Sequence, residues 1–93
     1  MVECRVKIVN RLGLHARAAA RLVRTASAYR SGVRLERVDG SAIADAKSIL
    51  SVLLLAASRG TELRLTVEGA DEQEAAGAVC ALIESGFGEE QEA

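Results

Sequence analysis

The chain has 93 residues, with twelve Lys and Arg against thirteen Asp and Glu, one histidine, two cysteines and no proline or tryptophan. That length suits one domain with a single small core, and a net charge of −1 gives no broad positive field to draw the protein onto nucleic acid. With one Tyr and one Phe, an aromatic platform for stacking bases is excluded as well.

Val2, Cys4, Val6 and Ile8 alternate with Glu3, Arg5 and Lys7, the period-2 pattern of a strand with one wet face over residues 2 to 9. The same charges interrupt the first apolar residues, so the segment does not read as a secretory signal. Gly13 permits a sharp bend, after which residues 16 to 28 carry helical spacing. Ala19, Leu22, Val23 and Ala26 fall on one face of this helix, and Arg17, Arg21 and Arg24 on another. Ser31 and Gly32 end the region, and residues 33 to 38 read as a second strand. Asp39-Gly40 signals a hairpin into a short third strand from about Ser41 to Asp45, paired antiparallel with the second.

Ser48 then opens a short helix from Ile49 to about Ala57, with Gly60 closing the segment that follows. Ile49, Leu50, Val52, Leu53, Leu54 and Leu55 cannot all face one core from two turns, so an exposed apolar patch of the kind partners dock on is expected here. The run is far short of the roughly 20 residues that a membrane helix needs. Leu63, Leu65 and Val67 alternate with Arg64, Thr66 and Glu68 as a fourth strand ended by Gly69. The last helix starts at Ala70 or Asp71, buries Ala75, Val79, Leu82 and Ile83, and places Asp71, Glu72 and Glu74 near its positive end. Gly86 and Gly88 stop it. Residues 1–88 are thus expected to form one domain, and Glu89, Glu90 and Glu92 a short acidic tail over 89–93, a frayed solubilising end. Cys4 lies on the apolar side of its strand and Cys80 among apolar helix residues, so both read as buried thiols, not as metal ligands or a structural disulfide.

The order βαββαβα predicts an α+β fold, with a four-stranded antiparallel sheet whose one apolar face is covered by three helices. A soluble, cytoplasmic monomer with no metal, no cofactor and no membrane insertion is expected.

Chemistry concentrates in the stretch Asn10-Arg11-Leu12-Gly13-Leu14-His15-Ala16-Arg17-Ala18-Ala19-Ala20. His15 falls at or just before the first helical turn, where backbone N–H groups lack intrahelical partners and carry the positive end of the dipole. An anion is favoured there, and Arg17 adds a full charge with several phosphate-matching donors. A free imidazole titrates near about 6.5 and is largely neutral and nucleophilic at cellular pH. A histidine so placed reads as one that accepts a phosphoryl group and passes it on. A stand-alone hydrolase lacks support, because there is no second histidine and no motif places a carboxylate as a base near His15.

Gly13-Leu14-His15-Ala16-Arg17 followed by a small-residue helix closely resembles the active-site segment of the HPr family, the histidine-containing phosphocarriers of the bacterial phosphotransferase system, including nitrogen-branch relatives. The likeness extends to the ending Glu84-Ser85-Gly86-Phe87-Gly88-Glu89-Glu90. It implies an open-faced β-sandwich fold. It also implies a carrier, not an enzyme, in which His15 accepts phosphate at Nδ1 from phospho-enzyme I and hands it to an enzyme IIA domain. Arg17 would stabilise the phosphate together with the backbone amides around Ala16 and Arg17. Ala46-Lys47-Ser48-Ile49-Leu50 resembles the family's regulatory serine segment, making Ser48 the target of an HPr kinase. Leu14, Ile49, Leu50 and Leu53 would form the apolar docking surface, with Arg21 and Arg24 serving an acidic partner. Ala18 stands where the family usually has proline, and Ser51 where a glycine commonly follows the serine. The rival reading is a regulatory binding protein that acts through docking of phosphorylated Ser48 to a transcription factor or enzyme.

Overall fold

Apolar alternation in four segments builds one sheet. The computed structural model describes residues 1–89 and runs β1 (Val2–Lys7), α1 (Ala16–Ser27), β2 (Gly32–Arg37), β3 (Ile43–Asp45), α2 (Ile49–Leu54), β4 (Glu62–Glu68) and α3 (Glu72–Glu84). The strands lie in the order β1-β4-β2-β3, every neighbouring pair antiparallel. Register places Cys4 opposite Leu65, Leu65 opposite Leu35 and Leu35 opposite Ala44, an apolar row across all four strands. The alternate row runs Arg5, Arg64, Glu36 and Ile43 on the wet face. Its ion pairs, such as Arg64–Glu36 at 3.4 Å, are exposed enough to contribute little.

The three helices cover the apolar face, giving the open-faced α+β sandwich that the element order predicts. Leu22 from α1, Val52 and Leu55 from α2 and its end, Val79 and Ile83 from α3, and Leu35, Leu63 and Leu65 from the sheet are fully buried together. Burial of this kind is the main stabilising term of a small domain. No helix among the described residues is long and apolar enough to cross a membrane.

Three local departures have physical causes. The second helix ends at Leu54, short of Ala57, because Ala56 turns the chain at φ 53°. Arg37 of β2 donates to the carbonyls of Leu55 and Ala56, both at 3.1 Å, satisfying acceptors that a longer helix would have used. The third strand begins at Ile43, two residues late. The Asp39 carboxylate accepts from the Ser41 amide at 2.9 Å and hydroxyl at 2.6 Å, holding residues 39–41 as a turn. The two cysteines, expected to be buried, are half-buried free thiols whose sulfurs face each other at 3.2 Å between β1 and α3. Burial, with the Cys4 sulfur beside it, pushes the Cys80 thiol up to about 12. Within α2 the expected sharing holds: Val52 is buried, while Ile49, Leu50, Leu53 and Leu54 are exposed.

Asp71 precedes α3 but does not cap it with its side chain. Its carboxylate reaches back to the turn between α1 and β2, accepting from the Ser31 hydroxyl at 2.5 Å and from the Ser31 and Arg30 amides, both at 2.9 Å. The Ser31 hydroxyl, then the Arg30 amide, hold the carboxyl down to about 2, against an ordinary value of 3.8. A lowered folded-state value stabilises the fold above the ordinary value and stops doing so as the group protonates. Denaturant melts between pH 5 and 1.5 should therefore show stability falling toward pH 2, and Asp71→Asn should flatten that part of the curve. An equally steep acid limb in the variant would remove Asp71 from the account.

Candidate functional site

The site grows from the bend after β1. Pairing continues past Lys7, with the Ile8 amide donating to the Thr61 carbonyl at 3.0 Å and the Gly60 amide to the Ile8 carbonyl at 2.7 Å. The chain then turns under Asn10, which is fully buried. The Gly13 amide donates to the Asn10 carbonyl at 3.2 Å, and the Asn10 side-chain amide donates to the Gly13 carbonyl at 2.7 Å. Gly13 itself has φ 68°, and a Cβ there would lie 2.6 Å from the Ala57 carbonyl oxygen and 2.9 Å from the Ser58 Cα. Only glycine allows both the dihedral and the approach. The Leu14 amide then donates to the Ala57 carbonyl at 2.9 Å, fastening the bend to the segment that leaves α2.

This seat delivers His15 to the start of α1 as its N-cap, with extended backbone at φ −78° and ψ 180°. The first intrahelical bond runs from the Ala19 amide to the His15 carbonyl at 2.8 Å, so the amides of Ala16, Arg17 and Ala18 precede the helical ladder. One of them is taken by the ring: the Arg17 N–H donates to His15 Nδ1 at 3.3 Å. An accepting Nδ1 carries its lone pair toward the helix mouth, which leaves the ring proton on Nε2. Nε2 lies 2.5 Å from a Glu89 carboxylate oxygen. The other Glu89 oxygen accepts from the Asn10 side-chain amide at 3.0 Å. Partial burial raises the Glu89 carboxyl, but the Asn10 amide, the His15 ring and the nearby Arg21 charge outweigh it and hold the group below the usual range. The His15 side chain keeps 30% of its surface exposed and Glu89 only 17%.

Glu89, expected to open a solvated tail, is instead part of the site, and a carboxylate does face the histidine although no motif announces it. Glu90 and Glu92 lie outside the described residues. The signal that could have found Glu89 is Gly86-Phe87-Gly88, an apolar residue between two glycines directly after a helix. The Phe87 amide donates to the Leu82 carbonyl at 2.9 Å and the Gly86 amide to the Ile83 carbonyl at 3.0 Å, a Schellman ending that turns the chain back. Asn10 opens the stretch in which the sequence concentrates chemistry but has no role of its own there, because a buried asparagine has no sequence signature.

The other expected site residues separate into groups. Ala16 and Arg17 are exposed at the helix start, and Arg24 is exposed further along α1. Arg21 donates to the Phe87 carbonyl, so it braces the chain end instead of standing free for an acidic partner. Leu14, expected on a docking surface, is 6% exposed and sits in the core, because the bond to Ala57 draws it inward. It contributes the floor of an open cleft of about 230 Å³ that Leu12, His15, Ala56, Ala57 and Ser58 also line. Ile49, Leu50 and Leu53 are exposed on α2 as expected, and Leu12 and Leu54, not singled out by sequence as contacts, are exposed too. Ser48 is half-buried and caps α2, its hydroxyl accepting from the Ser51 amide at 3.3 Å. The Ser51 hydroxyl accepts in turn from the Asp45 amide at 3.0 Å.

Known proteins share this arrangement of sequence and fold. A family model described as the PTS HPr component phosphorylation site matches residues 2–85. The chain is 46% identical over 89 residues to the phosphocarrier protein HPr of Cupriavidus necator, covering 96% of this chain and 98% of that relative. It is 41% identical over 86 residues to the phosphocarrier protein NPr of Proteus mirabilis, covering 92% and 94%. The crystal structure of HPr-C-His from Thermoanaerobacter tengcongensis matches with a TM-score of 0.90 at 44% identity, covering 97% of this chain and 99% of that one.

The seat of the bend is open to test. Gly13→Ala should cost about 1–3 kcal/mol of stability through the strained φ and the clash with Ala57. The amide resonances of Leu14 to Arg17 should shift with it. A melt and amide spectrum equal to the parent would show that the bend tolerates a Cβ.

Proposed function

The chain belongs to the HPr family of phosphocarrier proteins of the phosphotransferase system, carriers and not catalysts, and from that premise we propose that His15 is the residue that holds the phosphoryl group. The observation that carries this is the bond from the Arg17 amide to Nδ1, which turns that nitrogen toward the start of α1, where the amides precede the helical ladder. Phospho-enzyme I brings the phosphoryl group to the exposed edge of the ring. The Nδ1 lone pair attacks phosphorus, the bond from phosphorus to the donor breaks, and the donor atom keeps that electron pair. Using the Nδ1 lone pair releases the Arg17 N–H from the ring. That amide then joins those of Ala16 and Ala18 as donors to the phosphoryl oxygens, with the Arg17 guanidinium supplying charge. These donors are in place before reaction, so little reorganisation opposes the transfer. The reverse sequence delivers the group to an enzyme IIA domain.

Ile49, Leu50 and Leu53, joined by Leu12 and Leu54, form the docking surface in this reading, and Arg24 steers acidic partners at its rim. Ser48 is the site for an HPr kinase, where phosphate would replace the hydroxyl cap of α2 and put charge beside the docking leucines.

Incubation with enzyme I and phosphoenolpyruvate, in parallel with HPr kinase and ATP, tests both assignments by mass spectrometry and acid lability. Acid-labile phosphate on His15, absent in His15→Ala, is expected from the first mixture, and acid-stable phosphate on Ser48 from the second. Arg17→Ala should slow uptake by about tenfold or more through loss of transition-state charge stabilisation. Phosphate on Ser48 alone would replace the carrier with a regulatory docking protein.

A further inference from the structure

We propose that Glu89 is a positioning residue for the transfer: its carboxylate holds the proton on His15 Nε2, keeps Nδ1 unprotonated and aimed at α1, and balances the charge the ring acquires on phosphorylation. The proposal rests on His15 being the carrier, as read above.

Proton and charge accounting gives the role its content. The ring can attack only in its neutral form, which in this geometry has hydrogen on Nε2 against Glu89 and the Nδ1 lone pair against the Arg17 amide. When Nδ1 bonds to phosphorus, the electron pair of the breaking donor bond leaves with the donor and the Nε2 proton stays where it is. The ring thereby becomes an N-phosphorylated imidazolium with one more positive charge than before. A carboxylate already 2.5 Å from Nε2 meets that charge without moving, and a hydrogen bond to a charged partner is stronger than one between neutral groups. On discharge to the next acceptor the ring returns to the neutral form with its proton still on Nε2. No proton needs to be gained or lost in either direction.

The arm that carries Glu89 is built to hold it there. Gly86, Phe87 and Gly88 take φ of 72°, 60° and 71° in succession, a left-handed turn that a solvated tail would not keep. Phe87 is fully buried under the helices, and Arg21 of α1 donates to its carbonyl. Asn10 completes the clamp, one side-chain amide bonding both the Gly13 carbonyl that precedes the histidine segment and the second Glu89 oxygen. The groups bearing on the carboxylate are thus Asn10 from the bend, His15 itself and Arg21 from α1. Arg17 engages the opposite edge of the ring through its amide. The two ring nitrogens therefore face opposite kinds of partner, and that difference sets which one reacts.

The full chain labelled with ¹⁵N, and its Glu89→Ala and Glu89→Gln variants, should be compared by imidazole proton spectra and by initial rate of phosphoryl uptake from phospho-enzyme I. Thermal melts verify that all three fold. The parent should show a downfield, slowly exchanging Nε2 proton that disappears in Glu89→Ala, with uptake falling about tenfold. Glu89→Gln should lie between, because its amide oxygen still accepts the Nε2 proton without the charge. A purely structural arm would change the melt and leave the Nε2 proton and the uptake rate untouched. An unchanged Nε2 resonance or an unchanged rate in Glu89→Ala, with the parent charging normally, overturns the role of Glu89 alone. A parent that takes up no phosphate on His15 overturns the carrier reading and this inference with it.

Discussion

The close seat of Gly13 against Ala57 and Ser58 is the constraint on which the site depends. A backbone can approach another this closely only where no Cβ intervenes, and the approach lets the Leu14 amide reach the Ala57 carbonyl. Ala57 directly follows the turn that leaves α2, where Arg37 from the second strand takes the carbonyls of Leu55 and Ala56. A line of support therefore runs from the sheet through an arginine to a helix end, then to a glycine, and finally to the histidine. At Arg37 and at Leu14 the bonds satisfy backbone carbonyls that would otherwise lack a partner, so satisfying the polar groups of the fold and aiming the histidine are accomplished together.

Electrostatics divides the ring into two working edges. At Nδ1 lie the helix amides and the exposed Arg17, a region that favours an incoming anion. At Nε2 lies a carboxylate kept ionised by an amide and an arginine. Were both edges positive, the ring N–H would have no acceptor and a phosphorylated imidazolium would have no counter-charge. Were both negative, a phosphoryl donor would be repelled. Arg21 shows how the basic stripe of α1 is shared out. The arginine one turn along from Arg17 is spent on the chain end, and so works for the second edge and not the first.

Much of this was legible in the sequence, and what escaped did so for definable reasons. Strands and helices follow from periodicity because their residues have one wet side and one dry side. The hairpin, the N-cap serine and the histidine at the helix start are local signals, and each stands where its motif puts it. Leu14 misled because an apolar residue beside a reactive one can face either way, and the bond to Ala57, distant in sequence, decides. Helix α2 ran short because Ala56 takes a positive φ, and the carbonyls this leaves over are satisfied by Arg37, which lies on another element. Glu89 was invisible as a site residue because a cluster of acidic residues after a helix ordinarily dissolves in water. Its fate depends on Phe87 finding the core, a tertiary event that the composition of the tail does not encode.

Ala18 shows how a departure from a family pattern acquires meaning once the geometry is known. Read as sequence, alanine in place of the usual proline loosens the turn, since proline would have fixed φ and limited the unfolded chain. In the structure Ala18 is fully buried in the first turn of α1, and the helical ladder starts one residue later, at the Ala19 amide. An alanine there has an N–H that proline lacks, in the turn where an anion would be received. In the proposed transfer that N–H adds a third donor at the helix mouth, while Gly13, the Nδ1 cap and the bond to Ala57 hold the bend. The turn is thus held by bonds that cross the fold, from Leu14 to Ala57 and from Asn10 to Gly13, and not by its local dihedrals alone.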